Sequence, residues 1–189
     1  MARTDSIRTM LIAASAIAVC AVSLFSACPA ARAEQPDDSA ASWYGKGLEL
    51  ADDLEYGKAI ECFDRALEIE PDYEQALVAR GSVLLNIGRY EDTYRDLNRA
   101  VELDPQDTAA YYIRGLVYEQ VNNYENAAAD YTAALMIEPD NVDCLLRRGL
   151  ANREIGKTDE AIADFRRACN LGYGYACDEV EAMLKKGQN

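Results

Sequence analysis

Glu70-Pro71 recurs as Asp104-Pro105 and again as Glu138-Pro139, and the interval is 34 residues both times. Self-similarity at this period constrains the fold more than any single motif, because it means one supersecondary unit stacked on copies of itself. Gly47, Gly81, Gly115 and Gly149 keep the same interval, and so do Ala66, Ala100, Ala134 and Ala168. Large apolar residues fill another row, Phe63, Leu97, Tyr131 and Phe165. Four places before each lies a small one: Ala59, Thr93, Ala127 or Ala161. Tyr56, Tyr90 and Tyr124 form a further row in which Thr158 is the exception. A fourth boundary falls at Tyr173, within "LGYGY", where glycines stand in place of the proline.

Within each period the apolar spacing predicts a helical hairpin. Two amphipathic segments of about 13 residues flank a loop rich in Gly, Asn, Tyr and Lys. In the second segment of the first unit, Ala59, Phe63, Ala66, Leu67 and Ile69 share one helical face. The small residues of the Gly47 and Ala59 rows let the paired helices approach closely. Gly88 and Gly156 sit where a helix ends in a left-handed residue, with Asn122 in the corresponding place and Leu54 replacing the loop glycine of the first unit. Pro71, Pro105 and Pro139 cannot continue a helix, so they break the chain after each second segment.

This pattern resembles the tetratricopeptide repeat family over residues 40 to about 175. Trp43, Gly47, Ala59, Phe63, Ala66 and Pro71 carry the signature in the first unit, and later units keep the Gly, the small residue, the large apolar residue, the Ala and the Pro. The resemblance implies an all-α, right-handed solenoid of four helix-turn-helix units, 40–73, 74–107, 108–141 and 142–175. Residues 176–189 then hold a capping helix over 176–186 and a short tail, since an open solenoid end needs a polar cap. The cap's charged face is Asp178, Glu179, Glu181, Lys185 and Lys186. Residues 34–39 read as a disordered lead-in.

Residues 1–33 have the layout of an export signal. Arg3 and Arg8 precede an apolar run from Met10 to Phe25, shorter than a comfortable membrane crossing, and Ala31-Arg32-Ala33 supplies small residues for cleavage before Glu34. Lipidation at Cys28, after "FSA", is a rival reading, and an uncleaved membrane anchor is a third. Cleavage after Ala33 leaves 16 basic and 32 acidic residues, a formal charge of -16. These features place the protein in the periplasm or outside a bacterial cell, or lipid-anchored if Cys28 is processed, with no integral membrane span after cleavage. The acidic balance argues against a nucleic-acid partner, because phosphate binding relies on basic surface.

Arg80, Arg114 and Arg148 each precede a repeat glycine, and Asp96, Asp130 and Asp164 each follow one of these arginines by 16 residues. Lys46 and Cys62 hold the two places in the first unit, so charge and counter-charge disappear together. This predicts structural ion pairs between the paired helices; an anion site is the alternative. Of the cysteines beyond the leader, Cys169 and Cys177 flank "NLGYGYA". That local stretch resembles the Sel1-like repeat proteins, and the resemblance implies a Cys169–Cys177 disulfide stapling the cap helix across the boundary that lacks proline; two free thiols are the alternative. Cys62 and Cys144 lie in the first and fourth units, too far apart to pair, and read as small core residues.

The sequence has no His, which excludes Ser-His-Asp and Cys-His catalysis and His-ligated metal. It also lacks GxSxG, GxxxxGK[ST] and GxGxxG motifs. No metal or cofactor is expected. An envelope lipoprotein, lipidated at Cys28 and accessory to an outer-membrane or wall-remodelling complex, is the functional alternative, and a cell-wall-active enzyme built on paired carboxylates is the weakest. The family resemblance implies instead a non-catalytic adaptor that binds a peptide or helix in a groove lined by the first helices. Carried over by position, the groove rows are Tyr44, Val78, Tyr112 and Leu146; Leu48, Ser82, Leu116 and Leu150; and Asp52, Asn86, Gln120 and Glu154. Packing between units is the competing role, expected more of the three leucines Leu48, Leu116 and Leu150 than of Tyr44 and Tyr112, which are expected to be exposed. Only Arg153 is basic nearby, so the Lys/Asn/Arg clamp of chaperone-binding members is absent. Such rows suit an apolar or mildly basic segment of another envelope protein. An incomplete solenoid end at 40–53 leaves room for self-association.

Overall fold

Each proline and each left-handed residue anticipated from the repeat marks a helix end in the computed structural model, which describes residues 38–186. The first and second helices of successive units are α1 (Ala40–Asp52) and α2 (Tyr56–Ile69), α3 (Glu74–Asn86) and α4 (Tyr90–Leu103), α5 (Thr108–Gln120) and α6 (Tyr124–Ile137), and α7 (Val142–Glu154) and α8 (Thr158–Asn170). A ninth helix among the described residues, α9 (Gly174–Lys186), follows. All their regular structure is helical, an all-α solenoid of four hairpins with a C-terminal helix. None of these helices is long and apolar enough to cross a membrane. The export-signal reading of residues 1–33 lies outside the described residues.

Two boundaries differ from the sequence expectation. The last helix starts at Gly174 rather than 176, because Gly172, at φ 94°, closes the turn and no proline delays the next helix. The lead-in assigned to 34–39 is ordered at its end: Ser39 Oγ accepts a hydrogen bond from Ser42 N at 3.2 Å, and Trp43 Nε1 donates to Asp38 Oδ1 at 2.5 Å. Ser39 is thus the N-cap of α1, satisfying a backbone donor that a helix start leaves unpaired.

Packing follows the rows. Phe63, Leu97, Tyr131 and Phe165 are fully buried, each against the glycine of its own unit. A Cβ on Gly47 would stand 2.5 Å from Phe63 Cε1, and one on Gly115 would stand 2.6 Å from Tyr131 Cε1. The glycine row is therefore a set of contact points where a large side chain, a ring in three units and Leu97 in the second, closes on a bare helix backbone. Every helix packs on the next in sequence, and the first helices α1, α3 and α5 also touch in succession. That continuity makes one wall of the solenoid from first helices alone.

Candidate protein-binding groove

The first-helix wall encloses an open cavity of about 570 Å³ between α1, α3 and α5. Tyr44, Val78 and Ser82, three of the expected groove residues, line it together with Ile113. A smaller cavity of about 220 Å³ continues the wall at Tyr112, beside Glu138 and Asp143. The other expected residues divide. Leu48 is 38% exposed and open to solvent, Leu116 is half-buried, and Asn86 and Gln120 are exposed at the helix ends. Leu146 is buried in the core with Cys144 and Phe165, and Leu150 packs against the same cluster. Asp52 and Glu154 are exposed.

The exposure expected of the groove tyrosines is corrected by their packing. Tyr44 is half-buried, with its ring centroid 5.2 Å from that of Tyr73 and 6.1 Å from that of Phe63. Tyr112 likewise lies 5.9 Å from Tyr131. A wide ring at this place reaches across to the buried row beneath it, so these tyrosines are both groove floor and core roof. Leu48 and Leu116, expected to pack, keep part of their surface in the open.

Carboxylates that the first-helix rows did not include set the electrostatics. Glu74, the first residue of α3, lines the larger cavity with Asp104 and Asp107 from the loop before α5. Asp107 caps α5, accepting from Ala109 N at 2.9 Å and Ala110 N at 3.2 Å. Burial, then the hydrogen bond and charge of Asp107, then the charge of Asp104 push Glu74 from the ordinary 4.5 up to about 7. Glu74 Oε1 is buried with no hydrogen-bond partner among the described residues. Glu74 therefore holds its proton to higher pH than a free carboxyl does.

A second charged group in the wall also went unnoticed in the sequence. Arg147 Nη1 donates to Glu119 Oε2 at 3.0 Å, and Tyr131 Oη donates to Glu119 Oε1 at 3.0 Å. Burial raises the Glu119 carboxyl, and Arg147 and Tyr131 oppose that rise. Arg147 is therefore basic in the groove besides Arg153, but its charge is already engaged. Arg153 is engaged too, with Nη1 2.8 Å from Glu179 Oε2 on α9. The positional rows overlooked Glu74, Asp104 and Asp107 because these flank the proline turns, and Glu119 and Arg147 because neither recurs at the 34-residue interval. The signal present was the acidic residue beside each proline turn, Asp72, Asp107 and Asp140.

The arginine row forms its expected geometry and more. Arg80 donates through Nε and Nη2 to the two oxygens of Asp96, both at 2.7 Å; Arg114 does so to Asp130 at 2.8 and 2.7 Å, and Arg148 to Asp164 at 2.9 and 2.6 Å. The remaining Nη1 of each arginine crosses to the preceding second helix, reaching Asp64, Asn98 or Thr132. Cys169 and Cys177 are joined by a disulfide, while Cys62 and Cys144 are buried free thiols. Among the described residues, no group of three or more Cys, Asp or Glu side chains is placed to hold a metal ion.

Comparison with known proteins agrees with this architecture. Family models described as Tetratricopeptide repeat match residues 40–73 and 108–141, 74–107, and 143–171. The fold is similar to the crystal structure of MamA, with a TM-score of 0.69 and 24% identity, covering 74% of this chain and 81% of that one. It is also similar to YrrB, described as having an unusual peptide-binding site, with a TM-score of 0.70, 18% identity and coverage of 80% and 79%. An uncharacterized protein of Methanocaldococcus jannaschii is 36% identical over 50 residues, 26% of this chain; the match spans only 58% of that protein's length.

Proposed function

The chain belongs to the tetratricopeptide repeat family, and on that premise we propose that it is a non-catalytic adaptor of the bacterial cell envelope that binds an apolar or mildly basic segment of another protein in its first-helix groove. One observation carries the reading: the cavity between α1, α3 and α5 pairs an apolar floor of Tyr44, Val78 and Ile113 with a rim of Glu74, Asp104 and Asp107. An apolar floor supplies area that repays desolvation, and a carboxylate rim selects for a lysine or arginine beside the apolar anchor. YrrB, through its described peptide-binding site, is an example of this fold presenting a peptide site, and its 18% identity lends the fold alone.

The envelope location rests on the layout of residues 1–33 and is supported by the Cys169–Cys177 bond, which an oxidising compartment permits. Mass spectrometry of the mature chain separates its two forms: a start at Glu34 gives the soluble protein, and an acylated Cys28 gives the lipoprotein.

The groove is tested by crosslinking capture from intact envelopes. Gln75→Arg with Ala109→Arg adds two positive charges at exposed cavity positions and leaves the tyrosine packing alone. Partners captured by the parent chain are expected to disappear with the double variant while its helical circular dichroism is retained. An unchanged partner list with a folded variant moves binding away from this groove.

A further inference from the structure

The repeat supplies an internal ruler for the side formed by the second helices. Between α2 and α4 lies a small cleft of about 160 Å³ that includes Ile60, Leu84 and Arg95. The positions 68 residues later, Ala128, Asn152 and Ala163, line a cleft of about 560 Å³ between α6 and α8, with α7 as its floor. Both clefts rest on the same cradle, Arg80 with Asp96 in one and Arg148 with Asp164 in the other. What differs is bulk: an isoleucine, a leucine and an arginine have become two alanines and an asparagine.

The junction between these two shows what else the cradle accepts. There the corresponding positions are Tyr94 and Tyr118, beside Arg114 and Asp130. The two rings meet edge-on with centroids 5.7 Å apart, and Tyr118 Oη donates to Tyr94 Oη at 3.2 Å. One cradle thus holds aliphatic side chains, the next holds a hydrogen-bonded pair of phenols, and the third holds neither.

The third cleft is also polar at its base. Asn152 is only 6% exposed, yet its Nδ2 reaches Asp164 Oδ2 only at the long distance of 3.5 Å. A buried amide held this loosely has hydrogen-bonding capacity to give a ligand. Thr132, whose hydroxyl accepts from Arg148 Nη1 at 3.1 Å, lines the same cleft. The volume lies within the range of about 300–1,000 Å³ typical of ligand pockets. The rim carries both signs, Lys157 with Glu125 and Glu160, so net charge does not choose the occupant.

We propose that the cleft between α6 and α8 is a second protein-docking site, which takes a tyrosine side chain from a partner protein. The ring lies against Ala128, the position that Tyr94 holds in the preceding junction, and beside the exposed Ala163, and the phenol hydroxyl meets the Asn152 amide at the position of Tyr118. The cleft opens to solvent along its length, which suits a side chain carried on a partner's surface. This site is independent of the first-helix groove and does not rest on it.

The test uses the purified full chain, with N-acetyl-L-tyrosinamide and N-acetyl-L-leucinamide as probes, followed by 1H–15N NMR. The tyrosine probe is expected to give saturable shifts at the Asn152 side-chain amide and the Ala128 and Ala163 backbone amides, with a dissociation constant of order 1 mM. The leucine probe is expected to bind at least roughly tenfold more weakly. A128I with N152L, which copies the first junction, is expected to abolish the shifts. Ala163→Arg, which copies Arg95 at an exposed position, is the second variant and is expected to weaken binding in a chain whose core is untouched. Q75R with A109R in the groove is expected to leave the shifts unchanged. No saturable shift, equal binding of the two probes, or shifts that persist in both filled variants would overturn the proposal. Concentration-dependent broadening of the same resonances without probe, lost in the filled variants, would overturn the partner assignment in favour of a second copy of this chain.

Discussion

Arg114 grips Asp130 with two parallel hydrogen bonds and spends its third nitrogen on Asn98 of the preceding unit. One side chain thus joins both helices of its own hairpin to the hairpin before it. Arg80 and Arg148 repeat the arrangement, so the row is a chain of clamps between units as well as within them. The fork of a guanidinium suits three directed bonds, which a lysine ammonium cannot supply in one plane.

Asp130 and Arg114 are 9% and 16% exposed at their side chains. Asp130→Ala is therefore expected to lower stability by about 3 kcal/mol, because it leaves a largely buried guanidinium half-paired. Asp64→Ala, at a carboxylate that is half exposed, is expected to cost only about 0.5 kcal/mol. Urea unfolding of the two variants checks the ranking; equal losses would mean that the ladder contributes nothing through burial.

Glu74 makes stability depend on pH. Its folded pKa, about 7, lies above the ordinary 4.5, so the folded chain holds more protons than the unfolded one between those values. The contribution is fully present below about pH 4.5 and is lost as pH rises through about 7. Glu74→Gln is expected to flatten the decline in melting temperature between those pH values, and parallel melting curves would contradict the assignment. A cationic side chain docked beside Glu74 favours its charged form, so groove binding is expected to release a proton near neutral pH.

The glycine row predicts a graded response to one methyl group. Gly47→Ala and Gly115→Ala place a Cβ 2.5 and 2.6 Å from the rings of Phe63 and Tyr131, and about 2 kcal/mol of destabilisation is expected. At Gly81 the nearest atom is the flexible Leu97 Cδ2 at 3.1 Å. There a helix-propensity gain of up to about 1 kcal/mol offsets the contact, and Gly81→Ala is expected to be near neutral. Thermal melts of the three variants decide it.

Leu54 holds a left-handed backbone at φ 61° with a side chain 69% exposed, where the later hairpins have Gly88, Asn122 and Gly156. Leu54→Gly is expected to stabilise the chain by about 1 kcal/mol by removing that strain. A lower melting temperature would show that Leu54 contributes packing that its exposure conceals.

Cys177→Ser is expected to free the last helix while leaving the four hairpins folded. Ala176, Val180 and Met183 still pack against the fourth hairpin, so α9 should loosen rather than vanish. The closed loop is short, and its loss costs about 2.5 kcal/mol in chain entropy. Hydrogen exchange over 174–186 should accelerate, with little change over 40–170. Global acceleration would instead make the bond a determinant of the whole fold.

Much of this molecule was legible because it repeats. The row of Phe63, Leu97, Tyr131 and Phe165 identifies the large buried side chain of each hairpin, and the co-occurrence of Arg114 with Asp130 announces their contact without coordinates. The groove was less legible. Tyr44 and Tyr112 occupy the right wall, but whether a half-buried ring faces solvent depends on the depth of Tyr73 and Tyr131 beside it. Leu146 stands in the same row and is buried with Cys144 and Phe165. A row assigns a direction on a helix and leaves open how much of the side chain its neighbours cover.

The amino-acid order alone determined the hairpins, their boundaries to within two residues, and the pairing of arginine with aspartate, since these depend on local backbone preference and on a period that needs no partner to be seen. Tertiary structure decided the rest. It brought Glu74 against Asp107, crossed each arginine to the preceding unit, and left open at Ala128 and Asn152 a cradle that Tyr94 and Tyr118 fill one repeat earlier. These are relations between units, fixed by how far one hairpin turns and sinks against the next. That distance is set by the summed packing of many side chains, which no single row of the sequence records.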